Sequence, residues 1–473
     1  MTSLFYKPSG AWAADFIPYW EDGRFHLFYL HDWRNPTDYG EGTPWYQIST
    51  SDFIDFKEHG MMLRRGGRDE QDQYVFTGSV IRAEGRYHIF YTGHNPYFRR
   101  LNRAEQGIMH AISDDLLTWR KVSGEPFFAP GNRYEPHDWR DPFVYWNEEA
   151  SEYWMLVAAR LKAGPARRRG CTALCTSKDL NNWQVHDPFY APGLYYTHEC
   201  PDLFKMGEWW YLLFSEFTDK SVTRYRMSRS LAGPWLTPED DQFDGRAFYA
   251  AKSASDGNRR FLFGWNPTRE GEKDDGAWQW GGNLVVHEME QRSDGTLSVC
   301  PPESIEQAFI DPRPPLILAG TGQFTEIEGG TILTAPGTFA SVSCGLMPER
   351  CKLEVTLTTM EPTRAYGLML RTSGDLDKAY YIRFEPLRNR LVFDMWPRSG
   401  DVPFMVGMER PLSLSPGIPV TIKIFAERSI CEIYINDQKA LSTRMYDHKS
   451  GQWGLFVEQG KARFERLSCS TML

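Results

Sequence analysis

The stretch Asp22-Gly-Arg-Phe25-His-Leu-Phe-Tyr29 joins a tight-turn pair to a short apolar and aromatic strand, and this combination recurs along the chain. The copies of the strand are Phe25–Tyr29, Tyr87–Tyr91, Tyr153–Val157, Trp210–Phe214 and Arg260–Gly264. Four copies closely follow a residue pair that ends in glycine, as β-hairpins do. Their starts lie roughly 50 to 66 residues apart, the length of a four-stranded blade with its loops. The repeat predicts a five-bladed β-propeller over residues 1–305.

A second element follows most copies of the strand. It runs from a serine through a polar turn to an aromatic residue that enters the next strand, and its copies are Ser51–Phe53, Ser113–Trp119, Ser177–Trp183 and Ser228–Trp235. Helical periodicity is absent throughout the sequence. The two elements together favour an all-β fold.

The texture changes after the proline-rich stretch Asp311-Pro-Arg-Pro-Pro315. We expect residues 306–315 to form a linker. Beyond it, short runs such as Val420–Phe425 and Ile430–Ile435 alternate apolar and polar residues between regular turns. This period-two pattern predicts a C-terminal β-sandwich over residues 316–473.

Composition and charge exclude several classes of protein. The net charge is −9 and the 53 Lys and Arg residues form no dense stripe, so we expect no nucleic-acid partner. No apolar stretch approaches the ~20 residues that span a bilayer, so we expect no membrane partner. The eight cysteines are scattered without the spacing of a zinc site, and we expect no metal and no cofactor. Without a visible secretory signal, a cytoplasmic protein with reduced thiols is expected, and a homo-oligomer is compatible with the sequence.

Aromatic residues make up 15% of the chain, including 17 Trp. Aromatic faces stack on sugar rings, which favours a carbohydrate ligand. The same residues also fill all-β cores, so composition alone leaves both interpretations open.

Carboxylates stand at corresponding positions of three predicted blades, just before the apolar strand. They are Asp15 in Trp12-Ala-Ala-Asp15, Asp141 in Trp139-Arg-Asp-Pro142 and Glu199 in His198-Glu-Cys-Pro201. In a propeller these positions face one mouth of the central channel. Three carboxylates around a sugar-sized mouth fit cleavage of a glycosidic bond, which needs a proton donor and a nucleophile or base. Each acid taken singly has an ordinary structural explanation, such as a turn cap or an ion pair with Arg140, but their convergence favours catalysis.

The same residues carry a resemblance to a known family. Trp12-Ala-Ala-Asp15, Phe76-Thr-Gly-Ser79, Arg140-Asp-Pro142 and Glu199-Cys-Pro-Asp-Leu-Phe204 resemble, in this order, the W-M-N-D-P-N-G, F-S-G-S, R-D-P and E-C-P-D-L-F motifs. Those motifs belong to glycoside hydrolase family 32, the invertase, inulinase and levanase group. The segments Asp244–Ser253, Gly264–Asn266 and Ser429–Tyr446 resemble later family signatures.

The resemblance implies retaining hydrolysis of β-fructofuranosides, with Asp15 as nucleophile and Glu199 as acid and base. Asp141 would bind two ring hydroxyls, Arg140 would orient the carboxylates, and Cys200 would help keep the pKa of Glu199 raised. The full predicted substrate-binding set is Trp12, Phe76, Thr77, Ser79, Arg140, Cys200, Tyr249 and Trp280.

The sequence departs from the family pattern beside the nucleophile. Ala14 replaces the family's Asn, and Phe16-Ile17-Pro18 replaces Pro-Asn-Gly. We expect a more apolar wall near the reacting ring and an exo-acting enzyme on short fructosides or an unusual furanoside. Aromatic residues expected to narrow the mouth are Trp12, Trp33, Trp45, Trp139 and Trp280.

Two alternatives remain open at this point. An inverting hydrolase of the family 43 type has a similar fold and also uses two Asp and one Glu, but acts on arabinosides or xylosides. A sugar-binding protein with an inactive site is the other. The intact Glu199-Cys200 motif and the predicted sandwich favour family 32 over the first, and the presence of all three carboxylates argues against the second.

Overall fold

The computed structural model describes residues 2–318, 320–398 and 408–472, and these are almost entirely β-strand. The chain divides into two compact units. The N-terminal unit comprises Met1–Gln242, Phe248–Pro267 and Trp280–Leu297, and the C-terminal unit comprises Phe243–Ala247, Thr268–Gln279 and Ser298–Leu473. Among the described residues, no helix is long and apolar enough to cross a membrane.

The first unit is a five-bladed β-propeller, as predicted. Its elements are β1 (Trp12–Glu21), β2 (Arg24–Asp32), α1 (Pro36–Tyr39), β3 (Trp45–Thr50), β4 (Lys57–Leu63), β5 (Tyr74–Ala83), β6 (Arg86–His94), β7 (Gln106–Ser113), β8 (Arg120–Lys121), β9 (Tyr134–Asn147), β10 (Glu152–Leu161), β11 (Gly170–Ser177), β12 (Gln184–Val185), β13 (Glu199–Met206), β14 (Trp209–Glu216), β15 (Val222–Ser228), β16 (Tyr249–Ser255), β17 (Arg260–Arg269), β18 (Trp278–Gln291) and β19 (Leu297–Cys300).

Antiparallel pairing assigns these strands to blades. Blade one is β1–β4, blade two is β5–β8, blade three is β9–β12, blade four is β13–β15, and blade five begins with β16–β18. The repeated apolar segments are the second strand of each blade. Asp22-Gly23 and Glu84-Gly85 both have positive φ at each residue, which is the conformation of a type I′ hairpin turn. Strand β1 also pairs with β18 at Ala13 and Gly282, which closes the ring of blades.

The second sequence element connects the third and fourth strands of a blade, and its tryptophan packs on the preceding blade. The Asp115 carboxylate accepts hydrogen bonds from the backbone N–H groups of Leu117 and Thr118, and Asp179 caps the corresponding turn of blade three. The tryptophan after each turn packs on the preceding blade, Trp119 against Phe28 at 5.8 Å and Trp183 against Phe90 at 5.6 Å between ring centroids. The aromatic content thus serves the core as well as the predicted site.

The C-terminal unit is a β-sandwich, also as predicted. Its elements are α2 (Glu303–Gln307), β20 (Phe309–Arg313), β21 (Gly320–Thr321), β22 (Gln323–Ile327), β23 (Gly330–Leu346), β24 (Arg350–Thr359), β25 (Ala365–Thr372), β26 (Ala379–Glu385), β27 (Arg390–Trp396), β28 (Met408–Pro411), β29 (Val420–Glu427), β30 (Ile430–Ile435), β31 (Lys439–Arg444) and β32 (Gln452–Met472). The long strand β32 pairs with β20, β23, β24 and β25. The core of the sandwich consists of residues at alternate positions of its strands, such as the fully buried Leu353, Ile424 and Leu455.

The predicted linker over 306–315 differs from the structure. Helix α2 and strand β20 occupy it, and β20 pairs with the end of β32 through Phe309 opposite Met472. The compact units also divide at Leu297 and Ser298 instead of 305. Proline is compatible with a strand at positions where no backbone N–H is required, so the Pro-rich composition did not exclude a strand here.

Candidate active site

Each of the five innermost strands, β1, β5, β9, β13 and β16, carries a β-bulge, near its start in four of them and in the middle of β9. The register shifts fall between Ala14 and Ile17, between Phe76 and Gly78, opposite Leu156 and Ala158, between Glu199 and Asp202, and between Tyr249 and Lys252. In four of the bulges one residue has a left-handed backbone, and these residues are Asp15, Asp141, Cys200 and Ala250. Bulges commonly re-aim side chains beside active sites. Here they coincide with the predicted catalytic positions.

A cavity of about 620 Å³ opens at these bulges. The carboxylates of Asp15, Asp141 and Glu199 all line it, together with Arg140 and Tyr249. The structure therefore brings the three predicted carboxylates into one site, although they lie far apart in the sequence. The volume is that of a typical small-molecule site.

Asp15 is held by two neighbouring blades. The Thr77 hydroxyl donates a hydrogen bond to Asp15 Oδ2 at 2.5 Å, and the Trp265 indole N–H donates to Oδ1 at 2.9 Å. Burial raises the pKa of the Asp15 carboxyl to about 7, the two hydrogen bonds oppose this, and the charges of Asp141 and Glu199 add to it. Both carboxylate oxygens are thus fixed in direction while the ionised form stays costly.

Glu199 lies between a cation and a phenol. Arg140 Nη2 donates to Glu199 Oε1 at 3.1 Å, and the Tyr249 hydroxyl donates to Oε2 at 2.5 Å. Burial raises the pKa of Glu199 despite these two partners, which favour its ionised form. A carboxylic acid with a raised pKa is suited to donating a proton to a leaving group near neutral pH.

Asp141 is positioned by backbone contacts and by Arg140. Its own backbone N–H donates to Thr92 Oγ1 at 2.7 Å, and its Oδ2 accepts from the backbone N–H of Cys200 at 3.0 Å. Arg140 Nε lies 3.9 Å from the same oxygen, so one guanidinium contacts both Asp141 and Glu199. Burial by itself lowers the pKa of Arg140, but the carboxylates of Glu199, Asp141 and Asp138 raise it overall, so Arg140 stays charged.

Five of the eight predicted substrate-binding residues line the cavity: Phe76, Arg140, Cys200, Tyr249 and Trp280. The remaining three lie elsewhere. Thr77 and Ser79 are buried behind the cavity, where Thr77 holds Asp15 and Ser79 Oγ accepts from Val144 N at 2.9 Å. Trp12 lies beneath the cations of Lys7 and Arg34. These three are positioning or packing residues, since the mouth motifs also have to tie adjacent blades together.

Of the aromatic residues expected at the mouth, Trp33 and Trp280 line the cavity. Trp45 and Trp139 have no exposed surface and belong to the propeller core. The apolar wall expected from Phe16 and Ile17 is not formed by them, because both side chains are buried. Adjacent residues of a strand face opposite sides, and strand β1 is covered on both: Phe16 packs on Tyr29 with ring centroids 5.5 Å apart, and Ile17 belongs to a core cluster with Ile89 of blade two.

One wall of the cavity was anticipated only at Trp33. Residues 32–43, between β2 and β3, supply Asp32, Trp33, Arg34, Asn35 and Glu41, and β5 adds Tyr74. Trp33 stacks on Tyr39 with centroids 5.0 Å apart, and Arg34 Nη2 donates to the backbone oxygen of Trp280 at 2.5 Å. Trp33 was placed at the mouth by its aromatic character, but no pattern in the sequence indicated that the polar residues beside it also line the cavity.

Comparison with known proteins is consistent with this geometry. The model named "Glycosyl hydrolases family 32 N-terminal domain" matches residues 6–297, and "Glycosyl hydrolases family 32 C terminal" matches residues 329–471. The chain is 26% identical over 467 residues to a raffinose invertase of Escherichia coli, covering 93% of this chain and 88% of the relative. It is also 26% identical over 474 residues to a sucrose-6-phosphate hydrolase of the same organism, covering 94% and 88%.

A similar solved structure is a variant of fructan 1-exohydrolase IIa from Cichorium intybus in complex with 1-kestose. It superposes with a TM-score of 0.77 at 17% identity, covering 100% of this chain and 97% of that one. At this identity the likeness concerns the fold.

Proposed function

Because the chain belongs to glycoside hydrolase family 32, we propose that it is a retaining β-fructofuranosidase that removes terminal fructosyl units from short oligosaccharides. Membership of this family excludes the family 43 alternative. The observation that carries the proposal is the convergence of Asp15, Asp141 and Glu199 on one cavity, with Arg140 contacting two of them.

Asp15 and Glu199 have different hydrogen-bond partners, as the nucleophile and the acid of a double displacement should. Asp15 accepts hydrogen bonds at both oxygens, which suits a nucleophile held in one orientation. Glu199 has a raised pKa and suits a proton donor. We expect their carboxyl groups to lie about 5–5.5 Å apart, the separation typical of retaining glycosidases.

The reaction proceeds in two steps. In the first, an Asp15 oxygen attacks the anomeric carbon of the fructosyl unit while Glu199 gives its proton to the departing glycosidic oxygen. In the second, ionised Glu199 takes a proton from water, which displaces the Asp15 carboxylate and restores both groups. Asp141 binds ring hydroxyls and stabilises the positive charge that develops on the ring. Arg140 holds the carboxylates of Asp141 and Glu199 in position by contacting both.

The size and walls of the cavity support a short substrate and action at a chain end. A volume of about 620 Å³ suits a few sugar rings, and Trp33 and Trp280 offer aromatic faces beside the carboxylates. The relatives are named for raffinose and sucrose 6-phosphate, and the Cichorium enzyme was solved with 1-kestose. We propose that compounds of this class, with a terminal fructosyl unit, are the substrates.

The cellular location and the assembly are separate proposals. All eight cysteines are free thiols, which supports a reducing compartment and hence the cytoplasm. Fractionation of cells producing the protein tests the location, and light scattering after gel filtration tests whether it forms a homo-oligomer.

The activity is tested with purified protein on sucrose, sucrose 6-phosphate, raffinose, 1-kestose, inulin, levan and an arabinofuranoside, with a chelator present. We expect fructose release from the small fructosides by the wild type and a loss of several orders of magnitude in Asp15→Ala and Glu199→Ala. Glu41→Gln, at the same cavity, serves as the matched control and should keep most of the activity. Release of arabinose without fructose would contradict the proposal.

A further inference from the structure

A second cavity, of about 450 Å³, lies within the C-terminal unit. Its lining includes Arg246, Arg269, Trp278 and Tyr380. It shares no lining residue with the active-site cavity. The catalytic proposal gives this cavity no role.

Two arginines in this cavity make cation–π contacts with one tryptophan. The guanidinium carbon of Arg269 lies 4.0 Å from the Trp278 ring centroid, and that of Arg246 lies 5.6 Å from it. A guanidinium over an aromatic face keeps its planar fork of N–H groups available for another acceptor. Trp278 therefore fixes two cationic groups on one wall.

The carboxylates nearby are already engaged. Asp274 accepts hydrogen bonds from the Tyr380 hydroxyl at 2.5 Å and from the backbone N–H groups of Tyr446 and Asp447, each at 3.0 Å. Asp394 is paired with Arg398, whose Nε donates to Oδ1 at 2.7 Å. Asp275 is exposed and contributes only a weaker charge effect on Arg269.

Among the residues that the structure describes, no carboxylate forms an ion pair with Arg246 or with Arg269. Burial lowers the pKa of Arg246, and among the described residues no carboxylate offsets this. Burial lowers the pKa of Arg269 as well, although the charge of Asp274 opposes the shift. Arg269 Nη1 already donates to the backbone oxygen of Asp274. A ligand bearing an oxyanion would supply negative charge and accept hydrogen bonds from Arg246 and from the remaining N–H groups of Arg269.

We propose that this cavity is a second ligand site, which binds a phosphate group through Arg246 and Arg269. The shared chemistry is the phosphate dianion, supplied by inorganic phosphate or by a phosphorylated sugar. The cavity exceeds the volume of phosphate alone, and the half-buried Met395 in its lining offers apolar surface for a sugar ring.

The test is calorimetric titration of the whole protein with inorganic phosphate, with glucose 6-phosphate and with glucose. We expect saturable binding of the two phosphates, weakened at least about tenfold in Arg246→Gln. Arg246→Lys should lose part of the affinity, because it keeps the charge but not the fork. Arg388→Gln, an exposed arginine of the same unit, is the control and should bind as the wild type does.

Comparing the three titrations distinguishes the source of the phosphate, and the activity of Arg246→Gln shows whether the binding measured is separate from the active site. Tighter binding of glucose 6-phosphate than of phosphate identifies a sugar phosphate, and equal binding identifies phosphate itself. Arg246→Gln should retain the fructosidase activity of the wild type, so failure of this proposal leaves the catalytic one untouched. The proposal is overturned if neither phosphate binds, if glucose binds as tightly as its phosphate, or if Arg246→Gln binds unchanged.

Discussion

At Asp15 the burial that holds the carboxylate in place also makes its ionised form costly. Its pKa is raised to about 7, although Thr77 and Trp265 both donate to it. In the unfolded chain an Asp ionises near its ordinary value of about 3.9. Between these two values the folded protein holds a proton that the unfolded chain has lost, so the contribution of Asp15 to stability falls as the pH rises towards 7.

We therefore expect Asp15→Asn to stabilise the protein above pH 7. The amide accepts from Trp265 through its oxygen and donates to the Thr77 hydroxyl, so both contacts survive without a buried charge. The gain in unfolding free energy should be roughly 1–3 kcal/mol at pH 8 and close to zero at about pH 4. Urea denaturation of the two proteins at both pH values measures it. A gain that is the same at both would show that Asp15 is not the group responsible.

Whereas burial raises the pKa of Glu199, Tyr249 lowers it. Its hydroxyl donates to Glu199 at 2.5 Å and so favours the ionised form. Tyr249→Phe should raise the pKa of Glu199 and move the basic limb of the kcat/KM profile to higher pH, with a lower kcat because the base of the second step is less well placed. Tyr74→Phe, at the same cavity, is the control and should leave the limb in place. A profile unmoved by Tyr249→Phe would remove Tyr249 from this role.

The convergence of Asp15, Asp141 and Glu199 on one cavity could be predicted because they occupy equivalent places before the repeated apolar strands. The partners Trp265 and Thr92, and the wall residues Asp32 and Tyr74, could not be given these roles in the same way. Their contacts depend on the path of loops and on which blade lies beside which, and single-sequence patterns do not specify such long-range contacts. Trp45 and Trp139 were misplaced for a related reason, since an aromatic beside a mouth motif fits the core equally well.

Among the strands, the β-bulges connect the fold to the site, because Asp15 and Asp141 lie in bulges and line the cavity. The backbone is left-handed at both residues. Phe16 and Ile17 do not line the cavity, because they pack into the core on opposite sides of β1. The replacement of polar family residues by apolar ones did not show which side chains face the cavity.

A substitution at Gly78, in the bulge of blade two, tests the importance of the bulge. A Cβ at Gly78 would stand 1.9 Å from the backbone oxygen of Phe90, so Gly78→Ala has to displace the strand that carries Thr77. We expect a loss of both stability and turnover, by about 1–3 kcal/mol and at least about tenfold. Gly131→Ala has open space around it and should behave as the wild type. Thermal melts and initial rates compare the two, and a fully active Gly78→Ala would contradict the account.

At the scale of the whole chain, the sequence repeat predicted the five blades and the alternating runs predicted the sandwich. The same reasoning failed over 306–315, where β20 completes a sheet with the last strand of the chain. Pairing between residues so distant in sequence is invisible to local composition. The substitutions beside Asp15, by contrast, were visible but acted on the core and not on the cavity wall.

The proposed exo action predicts release of single fructose units. We expect a time course on 1-kestose and on inulin to show fructose as the first product of both, with slower turnover per mass of polymer because each long chain offers few ends. Analysis of early products by ion-exchange chromatography distinguishes this from internal cleavage. Early oligosaccharides of mixed length from inulin would contradict exo action while leaving the hydrolase assignment intact.

The central claim is a double displacement in which Asp15 attacks and Glu199 transfers the proton. It is tested most directly by hydrolysing sucrose in the presence of methanol and determining the anomeric configuration of the methyl fructofuranoside formed, since this product does not mutarotate. Two inversions at the anomeric carbon predict the β-anomer from the wild type and none from Asp15→Ala. The α-anomer from the wild type would show a single displacement and contradict the roles assigned to both residues.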